Sequence, residues 1–227
     1  RYTNSFKEAR FLRAYFYFNL VRAYGDVPYF TEMVTTDQVN SLTRTPAQEI
    51  FNAIIAECDK LSTELPADYT KLGLDGIAPA ENGRVTCYAA LALKARAALY
   101  AASPLFNPEN NKDLWRRAAE ANKEVIETCT ANGFKLSKYS ELWGPNNWSN
   151  NEMIFVRRYN GNNSTLEEYN FPMGVPGGNS GNCPTQNMVD AYEMKATGKM
   201  WNETGSGYDA SNPYAGRDPR FDMTIVK

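Results

Sequence analysis

A chain of 227 residues that is 43% apolar and 13% aromatic can close a sizeable core as one large domain or two small ones, which excludes a disordered chain. Twenty-four basic residues against 26 acidic ones leave a formal charge of -2, and no run of Lys or Arg forms the stripe needed to track phosphates, so nucleic acid is not an expected partner. No apolar segment of about 20 residues is present, so nothing here crosses a bilayer as a helix.

The first predicted element is the most distinctive. From Glu8 to Pro28 the chain reads EARFLRAYFYFNLVRAYGDVP. Phe11, Leu12, Tyr15, Phe16, Phe18, Leu20, Val21 and Tyr24 leave almost no polar face at helical period, so this helix is expected to be wrapped by protein on most sides. Tyr15, Phe16 and Tyr17 are accordingly read as core. Arg10, Arg13, Asn19 and Arg22 interrupt the apolar surface and require partners, expected to be ion pairs with neighbouring helices. Gly25 suits a left-handed stop, Asp26 a turn, and Pro28 prevents resumption, which ends the helix near Tyr24.

A second helix follows in TPAQEIFNAIIAECDKLSTELP, with Thr45 as its cap, Pro46 at the first helical position, Gln48 completing a capping box and Pro66 closing it. Residues 67–83 form a loop rich in Gly and Pro. A third helix runs from about Val85 to Ala102, its many alanines permitting close approach of neighbours. The fourth covers about Asp113 to Thr130, with Leu114, Ala118, Ala121, Val125 and Ile126 as its inner stripe and Gly133 as a stop. Paired antiparallel helices of this length form a helical-hairpin superhelix of the tetratricopeptide kind. The expected division is a helical scaffold over 1–135 and a loop-rich portion over 136–227.

Cys58, Cys87, Cys129 and Cys183 lack zinc-like spacing. Cys58 shares a helical stripe with Ile54, Leu61 and Leu65 and reads as a small buried hydrophobe. No metal or other cofactor is expected.

Beyond residue 135, Gly, Asn, Pro and aromatic residues dominate. EMIFVRRY alternates as a strand does, Thr185 to Met194 reads as one short helix, and DMTIVK begins another strand. The chain opens without Met and stops inside that last segment, so both ends are expected to be incomplete. Loops on a rigid scaffold are where binding groups concentrate.

Four blocks, EARFLRAYFYFNLVRAYGDVP, GRVTCYAALALKARAALYAASPLFN, PTQNMVDAYEM and NPYAGRDPRF, resemble the ordered blocks of the SusD/RagB family. The resemblance implies a mainly α fold of tetratricopeptide-like helical pairs with a loop-rich irregular portion that carries the ligand site. It also implies a surface-exposed outer-membrane lipoprotein of Bacteroidetes that binds nutrient for a SusC-like TonB-dependent transporter. The lipidated cysteine of the family is not in this sequence, so membrane attachment through a lipid anchor rests on the resemblance alone.

Oligosaccharides are held by aromatic faces and planar polar groups, which makes exposed loop aromatics near Asn, Asp or Arg the candidates. Trp143 and Trp148 flank GPNN. Tyr159 follows Arg157 and Arg158 and precedes NGNN. Tyr169 lies in YNFP, which also suits the anchoring of a long loop, and Trp201 lies in a polar segment with no helical pattern to bury it. The family's ligand-contacting residues fall in variable loops, so none is carried over by resemblance.

A glycosidase needs two carboxylates, and Glu152, Glu167, Glu168 and Asp218 lie in the loop-rich half without a supporting motif. The chain has no histidine, which removes the commonest general base and the usual triads. No catalytic residue is assigned. Two alternatives to glycan capture remain: a peptide ligand within the family, and a helical-repeat adaptor, which accounts for the first half only.

Overall fold

The computed structural model describes residues 2–69, 83–143, 150–157 and 168–226. They fall into two compact units, 1–158 and 159–227. In the first, α1 (Tyr2–Tyr24), α3 (Ala47–Glu64), α4 (Cys87–Ala102) and α5 (Lys112–Ala131) pack in succession, with the short α2 (Thr36–Val39) in the connection after α1. The second carries α6 (Gln186–Asp190), α7 (Phe221–Thr224) and a helical turn at 168–170 among its described residues, joined by turns. The mainly helical, superhelical architecture matches the expectation from the sequence.

Helix α1 stops where the sequence says it should. Gly25 adopts φ +70, and its N–H closes on the Val21 carbonyl at 2.9 Å. Asp26 then does more than turn the chain: its Oδ1 accepts from the Ala47 N–H at 2.7 Å and caps α3. The expected Thr45–Gln48 capping box is therefore absent. Thr45 bridges to Val27, and the Gln48 amide donates to the carbonyls of Ala101 and Phe106 at 2.7 Å each.

Burial corrects the reading of α1. Phe11, Ala14, Tyr17, Phe18 and Val21 are buried against α3 and α4, but the opposite face is bare. Leu12, Phe16 and Leu20, four residues apart, form an outward apolar stripe flanked by Tyr15 and Tyr24; Phe16 is 60% exposed and Tyr24 73%. Of the three aromatics assigned to the core, only Tyr17 is buried. Its hydroxyl donates to the Phe30 carbonyl at 3.0 Å. The reason is geometric, since the described helices lie against one side of α1.

Arg10 and Arg13 find the expected ion pairs with α3, whereas Arg22 and Asn19 turn to groups of α1 itself. Arg10 bridges to Glu57 and Glu64 of α3, both at 2.6 Å, and Arg13 reaches Glu57 at 3.8 Å and the Thr31 carbonyl at 2.9 Å. Arg22 lies 5.8 Å from the Phe18 ring centroid, and the Asn19 amide turns back to the Tyr15 carbonyl.

Helix α4 is apolar all round because it is sandwiched. Ala89, Ala90, Leu93, Ala97 and Ala101 join the core with α1 and α3, while Ala95, Ala98 and Ala102 meet Ala118 and Ala121 of α5. Lys94 ties the layers together, pairing with Asp59 of α3 and Glu124 of α5. Cys58 sits fully buried beneath it, and burial pushes its thiol up to about 12. All four cysteines are free thiols.

Helix α5 ends in a Schellman turn, with Gly133 at φ +87 donating to Thr130 and Phe134 donating to Cys129. Its inner stripe holds for Ala118 and Ala121, which are buried, and fails for Ile126, which is 66% exposed.

Three further expectations are corrected. Residues 152–157 form turns and bends rather than a strand: Ile154 packs on the first core and Phe155 stacks edge-on to Phe11 at 5.5 Å. The segment forms no ladder among the described residues. The helix after Thr185 stops at Asp190 because Met194 is drawn into a bridge with Arg217, and residues 221–224 turn helically where a strand was expected.

Candidate functional site

The first unit holds a polar cavity of about 420 Å³ where the start of α4, the end of α5 and the segment after residue 149 meet. Its walls carry three amides, Asn132, Asn150 and Asn151, one guanidinium, Arg84, and one carboxylate, Asp68. Tyr88 and Phe134 add aromatic surface, packed edge to face at 4.9 Å. Amides offer donors and acceptors without charge, the combination that matches hydroxyl groups.

Local structure explains how these groups are presented. Asn132 and Gly133 are the turn that ends α5. Asn150 is fixed by its Oδ1, which accepts from Ser137 Oγ at 2.6 Å and from the Glu152 N–H at 2.9 Å, so its Nδ2 is unused among the described residues. Arg84 is clamped: Nε and one terminal nitrogen engage both oxygens of Glu8, and the guanidinium lies 4.3 Å from the Tyr69 ring centroid. Tyr69 is in turn anchored by its hydroxyl on the Val85 carbonyl at 2.9 Å.

Thr86, also in this wall, is the N-cap of α4, yet its side chain makes no cap hydrogen bond. Among the described residues its hydroxyl is the buried side-chain oxygen without a partner. An unmet buried hydroxyl is a cost. Thr86→Val is therefore expected to hold stability or raise it by up to about 1 kcal/mol in urea unfolding, and a loss of about 1 kcal/mol or more would show that the hydroxyl is satisfied in solution.

A second cavity, about 570 Å³, lies between α1, α4, α5 and residues 152–155, and is lined by Phe11, Tyr15, Phe18, Leu93, Leu99 and Phe155 among others. The groove is mainly apolar, with Arg96, Asn122 and Glu152 as its polar points.

In the second unit, Trp201 is half-buried, which corrects the expectation that nothing covers it: its ring meets Tyr208 edge to face at 5.4 Å. Arg217 is buried beside Tyr208 and donates to the carbonyls of Pro213 and Tyr192. In RDPRF the ion pair is Asp218 with Arg220, whose hydrogen bond holds the Asp218 carboxyl down at about 2. Tyr169 is 52% exposed, with its ring against Gly181, where a side chain would clash with it. Its carbonyl accepts from the Asn182 N–H, so it both anchors a loop and presents a face.

Arg157 is exposed at the end of the first unit's described chain. Trp143 closes a 3-10 turn at Tyr139–Trp143; its side chain, together with Trp148 and Tyr159 entirely, lies outside the described residues. One residue, Ser149, separates Trp148 from Asn150, so this part of the cavity wall follows the GPNNW segment closely in the sequence. Sequence reasoning missed Asn132, Asn150, Arg84 and Asp68. The signal for Asn150 and Asn151 was their adjacency to that tryptophan, and for the others there was none. No group of three potential metal ligands occurs among the described residues. No described helix is long and apolar enough to cross a membrane.

Comparison with known proteins supplies the context. A family model, SusD-like and described as starch-binding and associating with the outer membrane, matches residues 1–99, and the SusD family model matches residues 111–227. SusD-like protein P25 of Formosa agariphila is 25% identical over 95% of this chain and 40% of its own length. A solved SusD-like carbohydrate-binding protein of Bacteroides fragilis is 27% identical with a TM-score of 0.74, over 97% of this chain and 39% of that one. A second SusD-like structure from the same species is 28% identical with a TM-score of 0.69, over 96% of this chain and 42% of that one. The chain thus spans about two fifths of the length of these relatives.

Proposed function

Because this chain belongs to the SusD family, we propose that it captures oligosaccharide at the cell surface and hands it to a SusC-like TonB-dependent transporter, without catalysis. The observation that carries the reading is the amide-rich cavity of the first unit, whose wall includes Asn150, two positions after Trp148 in the sequence. Amides and ring faces together recognise hydroxyls and the apolar faces of sugars. The carbohydrate-binding description of a solved relative points the same way. The helical scaffold supplies the docking surface for the transporter, the loop-rich residues 136–227 face ligand, and a lipid anchor outside this sequence holds the protein at the outer membrane. The candidate contacts are Trp143, Trp148 and Arg157 with the amides of the cavity in the first unit and, separately, Tyr159, Tyr169 and Trp201 in the second.

Capture without chemistry predicts retention on a polysaccharide and no release of shorter products. In affinity electrophoresis against a panel of polysaccharides, Trp148→Ala is expected to weaken retention about 10-fold, the ordinary cost of truncating an aromatic anchor. Trp143→Ala and Trp201→Ala complete the test. Unchanged retention in all three rejects the aromatic assignments, and reducing ends appearing over time reject the non-catalytic reading.

A further inference from the structure

We infer that the polar cavity selects neutral oligosaccharides over acidic ones, and that Glu8 sets this preference; the inference rests on the glycan-binding reading above. Arg84 is the cation among the described residues that line the cavity. It is already engaged on two sides. Its Nε and one terminal nitrogen form a fork with both oxygens of Glu8, at 2.8 and 2.5 Å, and its plane lies over Tyr69. Such a bidentate pair is geometrically demanding and strong, and its net charge is zero. Both members are largely withdrawn from solvent, with side-chain exposures of 22% for Arg84 and 15% for Glu8.

A uronate or sulfate entering this cavity gives up water and meets a neutralised guanidinium, with the Asp68 carboxylate in the same wall. An anion moved out of water without a counter-charge is penalised. A hydroxyl meets the opposite situation. The amides of Asn132, Asn150 and Asn151 can donate and accept, and the unused Nδ2 of Asn150 is a donor available without breaking an existing bond. The carboxylate that neutralises Arg84 comes from α1, not from the cavity's own segments. Removing its charge should therefore alter selectivity while leaving the amides in place.

The test is calorimetric titration of the full chain with matched pairs: linear xylo-oligosaccharides with and without a glucuronic acid branch, and galactan fragments against polygalacturonate fragments, at low ionic strength. The wild-type protein is expected to bind the neutral member of a pair about 10-fold or more tightly than the acidic one. Glu8→Gln keeps the shape and removes the charge. It should raise affinity for the acidic member about 5-fold and change the neutral member by less than about 2-fold, an effect weakened by salt. Glu8→Asp, which keeps the charge, should retain the wild-type preference. Equal or tighter wild-type binding of the acidic member overturns the inference and leaves glycan capture standing, as does an unchanged ratio in Glu8→Gln with an intact thermal transition. Silence on every pair overturns both.

Discussion

Phe18→Ala is expected to lower the free energy of unfolding by about 3–5 kcal/mol, while Phe16→Ala, two residues away on the same helix, costs less than about 0.5 kcal/mol. The two rings are chemically identical and differ only in the face of α1 they occupy. Phe18 is 1% exposed, meets Tyr100 edge to face at 5.2 Å, and belongs to the core shared with α3 and α4. Its removal leaves a void in a close-packed region that cannot fully collapse. Phe16 is 60% exposed and belongs to the bare stripe with Leu12 and Leu20. Urea unfolding followed by circular dichroism separates the two, and equal losses would show that something covers the stripe in solution.

The second large effect concerns the alanines of α4. Ala97 is completely buried on the side facing α1 and α3, and Ala98, 4% exposed, faces α5 across Ala118 and Ala121. The core around Ala97 is closed, whereas Ala98 borders a cavity of about 260 Å³ shared with Ala121. Ala97→Leu should cost about 1–3 kcal/mol by forcing the helices apart, which lowers the melting temperature by about 2–4 °C per kcal/mol in a unit of this size, and Ala98→Leu should cost less because that cavity takes part of the added volume. Ala119→Leu, on the exposed side of α5, is the control and should move it by less than about 1 °C. Equal tolerance at all three sites would contradict the close approach of these helices.

These contrasts also show what could be read from residues alone. The order of the four long helices, the stop at Gly25 and the burial of Cys58 follow from local chemistry, because each depends on residues within a few positions of one another. Which face of α1 is buried does not follow. A helix with apolar residues on all sides gives periodicity nothing to choose between, and burial is decided by neighbours elsewhere in the chain.

The cap of α3 was misread for a related reason. Thr45 and Gln48 have the right spacing for a capping box, but Asp26, 21 residues earlier, takes the Ala47 N–H, and Gln48 serves the end of α4. Segment 152–157 has the pattern of a strand but forms no ladder among the described residues: Ile154 packs on the first core and the adjacent Phe155 meets Phe11 of α1.

The candidate site was legible only in part. The tryptophans flanking GPNN lie close in sequence to Asn150 and Asn151 of the cavity wall, but the Trp143 side chain and Trp148 lie outside the described residues. The remainder of the cavity comes from the end of α5 and the segment before α4, brought together by packing, and Arg84 is neutralised by a residue 76 positions away. Family membership was legible for a different reason: four ordered blocks record scaffold constraints spread along the chain, whereas a ligand site made of loops leaves no such record.

Calorimetric titration of the purified protein with a panel of oligosaccharides and, separately, a mixture of peptides tests glycan capture most directly. The account predicts saturable heat with at least one glycan, none with the peptides, and oligosaccharide recovered unshortened afterwards. Silence across every glycan together with saturable peptide binding would contradict it.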